Sequence, residues 1–248
     1  MKGETMTEAA NRTTAPLKNV KLFSQMLQQL ADRDPNLPGI GVFYGYSGYG
    51  KSMAAVYATN KLDAAYVEVG YSWTSRILTN SLLDELSIAP ASTVAEGVQI
   101  IIETLQEDPR PLIIDEADHL LKKQTIEIIR EIHDKAFVPV ALIGEEKMPT
   151  KLLKWERFHN RVLKWQPAQK ADMADTRHLA RLYCPEISIG EDLLAEIHEA
   201  SEGKARRICV NLAAIKEQAR TQGLQRLGKD EWGDRKLYTG TPPARRAA

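Results

Sequence analysis

The sequence predicts an α/β fold: a parallel sheet with helices on both faces, followed by a small C-terminal helical domain. Three observations carry that expectation. Residues 45–52 read GYSGYGKS, a glycine-rich loop between a β-forming run, Ile40-Gly41-Val42-Phe43-Tyr44, and a helical run, Ser52–Ala58. Short apolar runs then alternate with helix-period stretches to about residue 167, the pattern of strands buried on both faces. From about Ala168 the pattern is purely helical.

Each element follows from local chemistry. Residues 1–16 are polar and read as a flexible N-terminus. Lys18 to about Arg33 places Val20, Phe23, Leu27 and Leu30 at three- to four-residue spacing, a helix that Asp34-Pro35 ends. The first strand and the glycine-rich loop come next, then a second strand at Ala65–Val69. Helices are expected over about 74–87 and 93–107, the latter stopped by Asp108-Pro109-Arg110-Pro111. Leu112-Ile113-Ile114 is the next apolar run, followed by a helix over about 123–135 and strands at Val138–Ile143 and Arg161–Trp165. These elements make a core of residues 17–167. Helices over about 171–183, 190–200 and 205–222 make a helical domain of residues 168–227, and residues 228–248 read as a polar, disordered tail.

Composition bounds the function. The chain has 248 residues, 43% hydrophobic and 27% charged, ordinary for a soluble globular protein. No apolar run approaches the roughly 18 residues of a membrane span, and no signal-peptide core opens the chain. Cys184 and Cys209 lack paired metal-ligand spacing and read as free thiols. A cytoplasmic protein, of a bacterial host or phage-infected cell, is expected, with no membrane partner. Formal net charge is zero. It is unevenly spread: residues 1–140 carry 13 Lys and Arg against 18 Asp and Glu, and residues 141–248 carry 20 against 15. The basic excess therefore lies in the C-terminal part, where an acidic partner would meet it.

GYSGYGKS has the chemistry of a triphosphate cradle. Gly45, Gly48 and Gly50 let the backbone turn its N–H groups inward, while Tyr46, Ser47, Tyr49 and Met53 complete the loop and the helix start that follows. Lys51 supplies a point charge to the β/γ-phosphates, and Ser52 offers a hydroxyl to Mg²⁺. Some 60 residues on, Asp115 ends an apolar strand, where a carboxylate reaches the metal. Glu116 is placed to orient or deprotonate an attacking water. The expected cofactors are ATP and Mg²⁺, and the expected activity is ATP hydrolysis. Residues 115–118 also spell DEAD, but such helicases resemble two tandem domains for which this chain is too short.

Beyond these motifs, residues 15–222 resemble the AAA+ ATPases, which are P-loop NTPases with a small helical lid. The resemblance implies a sensor 1 strand at Val140–Ile143. It implies an arginine finger at Arg161 in RFHNRV, with Arg157 as second choice. It also implies a sensor 2 arginine at Arg206 in EGKARRI, beside Arg207. Such cations stabilise charge on the transferred phosphoryl group. Within that group, LIIDEADHL, RFHNRVLKW and GKARRI resemble transposition protein B of phage Mu and its relatives. That resemblance implies an ATP-dependent, sequence-non-specific binder of double-stranded DNA. Such a protein forms a homo-oligomer, ring or filament, and stimulates a transposase. Two features depart from it. The helix-turn-helix domain that precedes the Mu core is not seen, so DNA contact is expected from the ATPase body or the tail. Where sensor 1 usually carries Asn, Ser or Thr, Gly144-Glu145-Glu146 stands instead, and a carboxylate there predicts slow hydrolysis.

Two segments are candidates for DNA contact. Tyr71, Trp73 and Arg76 follow the second strand, mixing aromatics and a cation at a helix start, and Lys122 and Lys123 follow the Asp115 segment. His119 is a candidate relay to a partner. Two alternatives use the same core: a helicase loader or replication initiator, and a signalling or secretion-associated ATPase with no DNA role.

Overall fold

The computed structural model describes residues 17–122 and 125–241. The segments 1–16 and 242–248, and with them the expected flexible N-terminus and the end of the expected tail, lie outside the described residues. Among the described residues the chain divides into two compact units. One holds Asn19–Ser47 and Lys51–Ala168; the other holds the stretch up to Lys18, the loop apex Gly48–Gly50 and the chain from Gln169 on.

The first unit opens with α1 (Lys18–Ala31), whose buried residues Val20, Phe23, Met26, Leu27 and Leu30 repeat at helical spacing. Gly41 lets α1 approach β1 (Ile40–Tyr44): a side chain there would meet Leu30 Cδ1 at 2.7 Å. Phe23 and Phe43 meet edge to face, centroids 5.2 Å apart. After β1 come α2 (Lys51–Leu62), β2 (Ala65–Glu68), α3 (Ser75–Glu85) and α4 (Val94–Glu107). Thr93 caps α4, and the Glu96 side chain reciprocates to the Thr93 backbone in a capping box. Then follow β3 (Leu112–Asp115), α5 (Asp118–Lys122), α6 (Ile126–Ala136), β4 (Val140–Gly144), α7 (Met148–Leu152), α8 (Glu156–His159) and β5 (Val162–Pro167).

The five strands are parallel, in the order β2-β3-β4-β1-β5. The three inner strands are almost wholly buried and correspondingly apolar, while the edge strands β2 and β5 are partly exposed and carry Glu68 and Lys164. Tyr44 pairs with Gly144 across β1 and β4, so the C-terminal ends of the inner strands lie side by side.

The second unit packs α9 (Met173–Tyr183), α10 (Glu191–Ala200) and α11 (Ala205–Gln222) around Leu179, Leu193, Ile197, Ile208, Leu212 and Ile215. Two expectations are corrected here. The unit is not purely helical: β6 (Ser188–Ile189) and β7 (Arg226–Leu227) form a short parallel pair. Nor does the chain become structureless at 228. Residues Lys229–Trp232 form α12, and Trp232 is buried against the helical core. Farther on, the Tyr238 backbone is held by Asn211, donating to Oδ1 at 2.7 Å and accepting from Nδ2 at 3.0 Å. The polar composition of this segment hid one indole with enough apolar surface to anchor it. In the first unit, the helix expected over 123–135 is observed as α6 (Ile126–Ala136), and a short helix that was not expected, α5 (Asp118–Lys122), precedes it.

Candidate nucleotide site

The glycine-rich loop leaves β1 at the C-terminal edge of the sheet, where ligands of parallel α/β sheets bind. Gly48 and Gly50 have φ of +87° and +83°, the left-handed conformation that favours glycine. The Lys51 ammonium turns back over the loop and donates to the carbonyls of Gly45 (2.8 Å) and Tyr46 (3.1 Å). Burial lowers the Lys51 pKa, opposed by the carboxylates of Asp115, Glu116, Asp118 and Glu145. Those four carboxylates therefore act electrostatically on one cation at the sheet edge. Ser52 and Met53 are exposed on the first turn of α2. Tyr46 and Ser47 are exposed, whereas the Tyr49 side chain is buried, which leaves Tyr49 its backbone for any loop ligand.

Asp115 ends β3 and is 2% exposed. Its Oδ1 accepts the backbone N–H of Glu116 at 2.8 Å, and its Oδ2 accepts the hydroxyl of Tyr66 at 3.1 Å. Sequence reading passed over Tyr66, which lies on β2 and reaches Asp115 because β2 and β3 pair directly. Burial, then Asp115, raise the phenol pKa, so Tyr66 keeps its proton and donates. Glu116 has φ of +52°, an uncommon conformation for a glutamate and a strain tolerated at functional turns. The turn is fixed from the next strand, where Ala117 N–H donates to Ile143 O at 2.9 Å. Partial burial, then the Asp115 charge, push Glu116 above the usual carboxylate range; His119 and Lys51 oppose this.

The residues present fit a magnesium nucleotide. Two glycines open the loop backbone, one lysine stands over it, and a hydroxyl and a buried carboxylate end adjacent parts of the edge. Among the described residues no group of three His, Cys, Asp or Glu side chains could hold a metal alone. A hard ion bound by one carboxylate, one hydroxyl and phosphate oxygens is the arrangement magnesium accepts.

At the end of β4, Glu145 is not aimed unpartnered at the loop. Its Oε2 accepts from Lys151 Nζ at 2.9 Å, and Lys151 also donates to Asp118 Oδ1 at 2.6 Å. Arg161 precedes β5 and pairs within its own chain: Nε lies 3.2 Å from Asp134 Oδ1, and Nη1 donates to the Arg157 carbonyl. Arg157 is exposed on α8. In the second unit, Arg206 is exposed in the first turn of α11, and its backbone N–H donates to the Gly48 carbonyl at 3.1 Å. Arg207 is half-buried and paired with Glu202 at 3.1 Å.

The candidate DNA residues have mixed environments. Tyr71 is 70% exposed and meets His119 edge to face at 5.6 Å. Trp73 instead packs against the core of the first unit. Arg76 is exposed and donates to the Ser92 carbonyl at 2.9 Å. Lys122 closes α5, and Lys123 lies outside the described residues.

Residues 33–152 match the family model of the AAA domain. No curated protein matches the sequence. Three archaeal structures are similar to it. The Aeropyrum pernix ORC2 protein, solved in ADPNP–ADP complexes, gives a TM-score of 0.68 at 13% identity over 88% of this chain and 67% of its own. The A. pernix ORC1 protein, solved in complex with DNA, gives 0.63 at 16% identity, over 86% and 62%. Cdc6p from Pyrobaculum aerophilum gives 0.62 at 14% identity, over 84% and 63%. The chain thus spans about two thirds of the length of these proteins. The fold is that of the AAA+ P-loop NTPases: a parallel five-stranded sheet flanked by helices. The finer likeness to the phage Mu protein stands on the three sequence segments alone. Among the described residues no helix is long and apolar enough to cross a membrane.

Proposed function

We propose that this protein is an ATP-driven switch acting on double-stranded DNA. The observation that carries the ATP half is that Lys51, which follows the loop after β1, and Asp115 and Glu116, at the end of β3, stand on the same C-terminal edge of the parallel sheet. In this reading Gly45–Met53 wrap the phosphates, Lys51 contacts the β/γ-phosphates, and Ser52 and Asp115 hold Mg²⁺. Glu116 acts on the attacking water, Arg161 is supplied to a neighbouring copy, and Arg206 stabilises the phosphoryl charge. ATP binding favours a cytoplasmic homo-oligomer on DNA, and hydrolysis releases it.

For the DNA half, the likeness to an archaeal ORC1 protein solved with DNA favours an initiator or helicase-loader type of switch. A second reading, a transposition regulator that recruits a transposase, is favoured by LIIDEADHL, RFHNRVLKW and GKARRI in their order along the chain. Electron microscopy of the chain with a non-hydrolysable ATP analogue and random-sequence duplex DNA tests both. Filaments coating DNA of any sequence support the regulator. Discrete assemblies that choose particular sequences support the initiator. Assemblies indifferent to DNA would overturn the DNA half and favour a signalling ATPase.

A further inference from the structure

A second charge arrangement stands beside the phosphate loop. Asp118, on α5, is 4% exposed and uses both carboxylate oxygens: Oδ1 accepts from Lys151 and Oδ2 accepts the Glu145 backbone N–H, each at 2.6 Å. The same lysine, from α7, holds the Glu145 side chain. Gly144 makes room for this knot, since a side chain there would meet Asp118 Oδ2 and Met148 Sδ. The knot lies next to the phosphate loop through the sheet. Gly45 N–H donates to Gly144 O at 3.3 Å, and Lys51 caps the Gly45 carbonyl. Glu145 thus stands one residue beyond β4, the strand whose end adjoins the loop, and Asp118 three residues beyond β3, where a bound triphosphate would bring up to four negative charges. Left bare, the two carboxylates would oppose its terminal phosphate; one ammonium between them cancels half their charge and fixes the rest.

We propose that Lys151 is a positioning residue of the nucleotide site, one that neutralises Glu145 and thereby permits the terminal phosphate of ATP to bind. The proposal rests on the ATP-binding reading above. Lys51 senses both Asp118 and Glu145, which puts them within electrostatic reach of the loop. The hydrogen bond to Asp118, foremost, raises the Lys151 pKa and keeps it charged.

The test measures ATP and ADP affinity of the full chain by displacement of a fluorescent nucleotide, for wild type, Lys151→Gln, Glu145→Gln and the double variant. Lys151→Gln should weaken ATP about tenfold and ADP less than about threefold, since only ATP carries the terminal phosphate that an unpaired Glu145 would oppose. Adding Glu145→Gln should restore ATP affinity to within about threefold of wild type. Equal losses for ATP and ADP, or no restoration, would overturn the proposal as a merely structural role. Should Lys151→Gln not fold, Glu145→Gln alone decides: unchanged or tighter ATP binding agrees, and weaker binding overturns. Wild type failing to bind either nucleotide would instead refute the ATP reading, so the two failures are separable.

Discussion

Glu116 concentrates the chemistry expected of this site in one side chain. Its backbone is held at φ +52° by Asp115 Oδ1 below and by the Ala117–Ile143 hydrogen bond beyond. An amide of the same shape should keep the turn and lose the base. Glu116→Gln should bind ATP like wild type and hydrolyse it at least about 10²-fold more slowly. Comparable hydrolysis by the variant would assign the water to another group. A base must be deprotonated, and the environment of Glu116 raises its pKa. Turnover should therefore fall as pH drops through a value above the roughly 4.3 of an ordinary glutamate. A rate profile flat down to that pH would count against Glu116 as the base. The places of Lys51, Ser52, Asp115 and Glu116 were legible in the sequence because each sits in a run of neighbours whose local conformation sets its position. Tyr66, Asp118 and Lys151 were not. Tyr66 is 49 residues from the carboxylate it holds and Lys151 is 33 residues from its partner, and only the strand order β2-β3-β4-β1-β5 brings them together.

The strands and long helices were legible for the same reason, since their apolar period is written in consecutive residues. Short pieces were harder. β6 and β7 have two residues each and exist only by pairing with one another, 38 positions apart along the chain. The segment after Gly228 reads as polar because its anchoring is carried by Trp232 and by backbone rather than by an apolar face. Asn211 supplies that backbone anchor. It is 1% exposed, sits on α11, and gives Tyr238 the donor and acceptor that a neighbouring strand would give. Its Nδ2 also donates to Ser201 Oγ at 3.2 Å. Truncation removes all three bonds and leaves a buried hydroxyl unpaired. Asn211→Ala should cost about 2 kcal/mol in the melting of the second unit. It should also make residues 233–241 the first site of limited proteolysis. A variant as resistant as wild type would show that Trp232 alone anchors the segment.

For the assembled protein, the question is what completes the site. The sequence suggested slow hydrolysis because Glu145 would repel the phosphate, but Glu145 is paired with Lys151 and that reason weakens. A different one replaces it. Arg161, the cation expected to act on a neighbouring copy, is engaged in its own chain with Asp134, which also holds Arg130 at 2.8 Å. If Arg161 acts between copies as proposed, a single copy lacks the arginine that would complete its own transition state, and forming a junction exchanges the Asp134 pair for a phosphate contact. An isolated chain should turn over below about 1 s⁻¹, the low end of ordinary enzymes. Conditions that assemble it should raise the rate. Arg161→Ala should bind ATP and assemble but lose at least about 10²-fold in rate, as loss of an arginine finger does elsewhere. Mixing then distinguishes action across a junction from action within a chain. A junction that pairs Glu116 of an Arg161→Ala copy with Arg161 of a Glu116→Gln copy holds every group the reaction needs. The mixture should therefore hydrolyse ATP well above either variant alone. If both variants assemble and the mixture stays inactive, Arg161 does not act between copies, and its pair with Asp134 is structural.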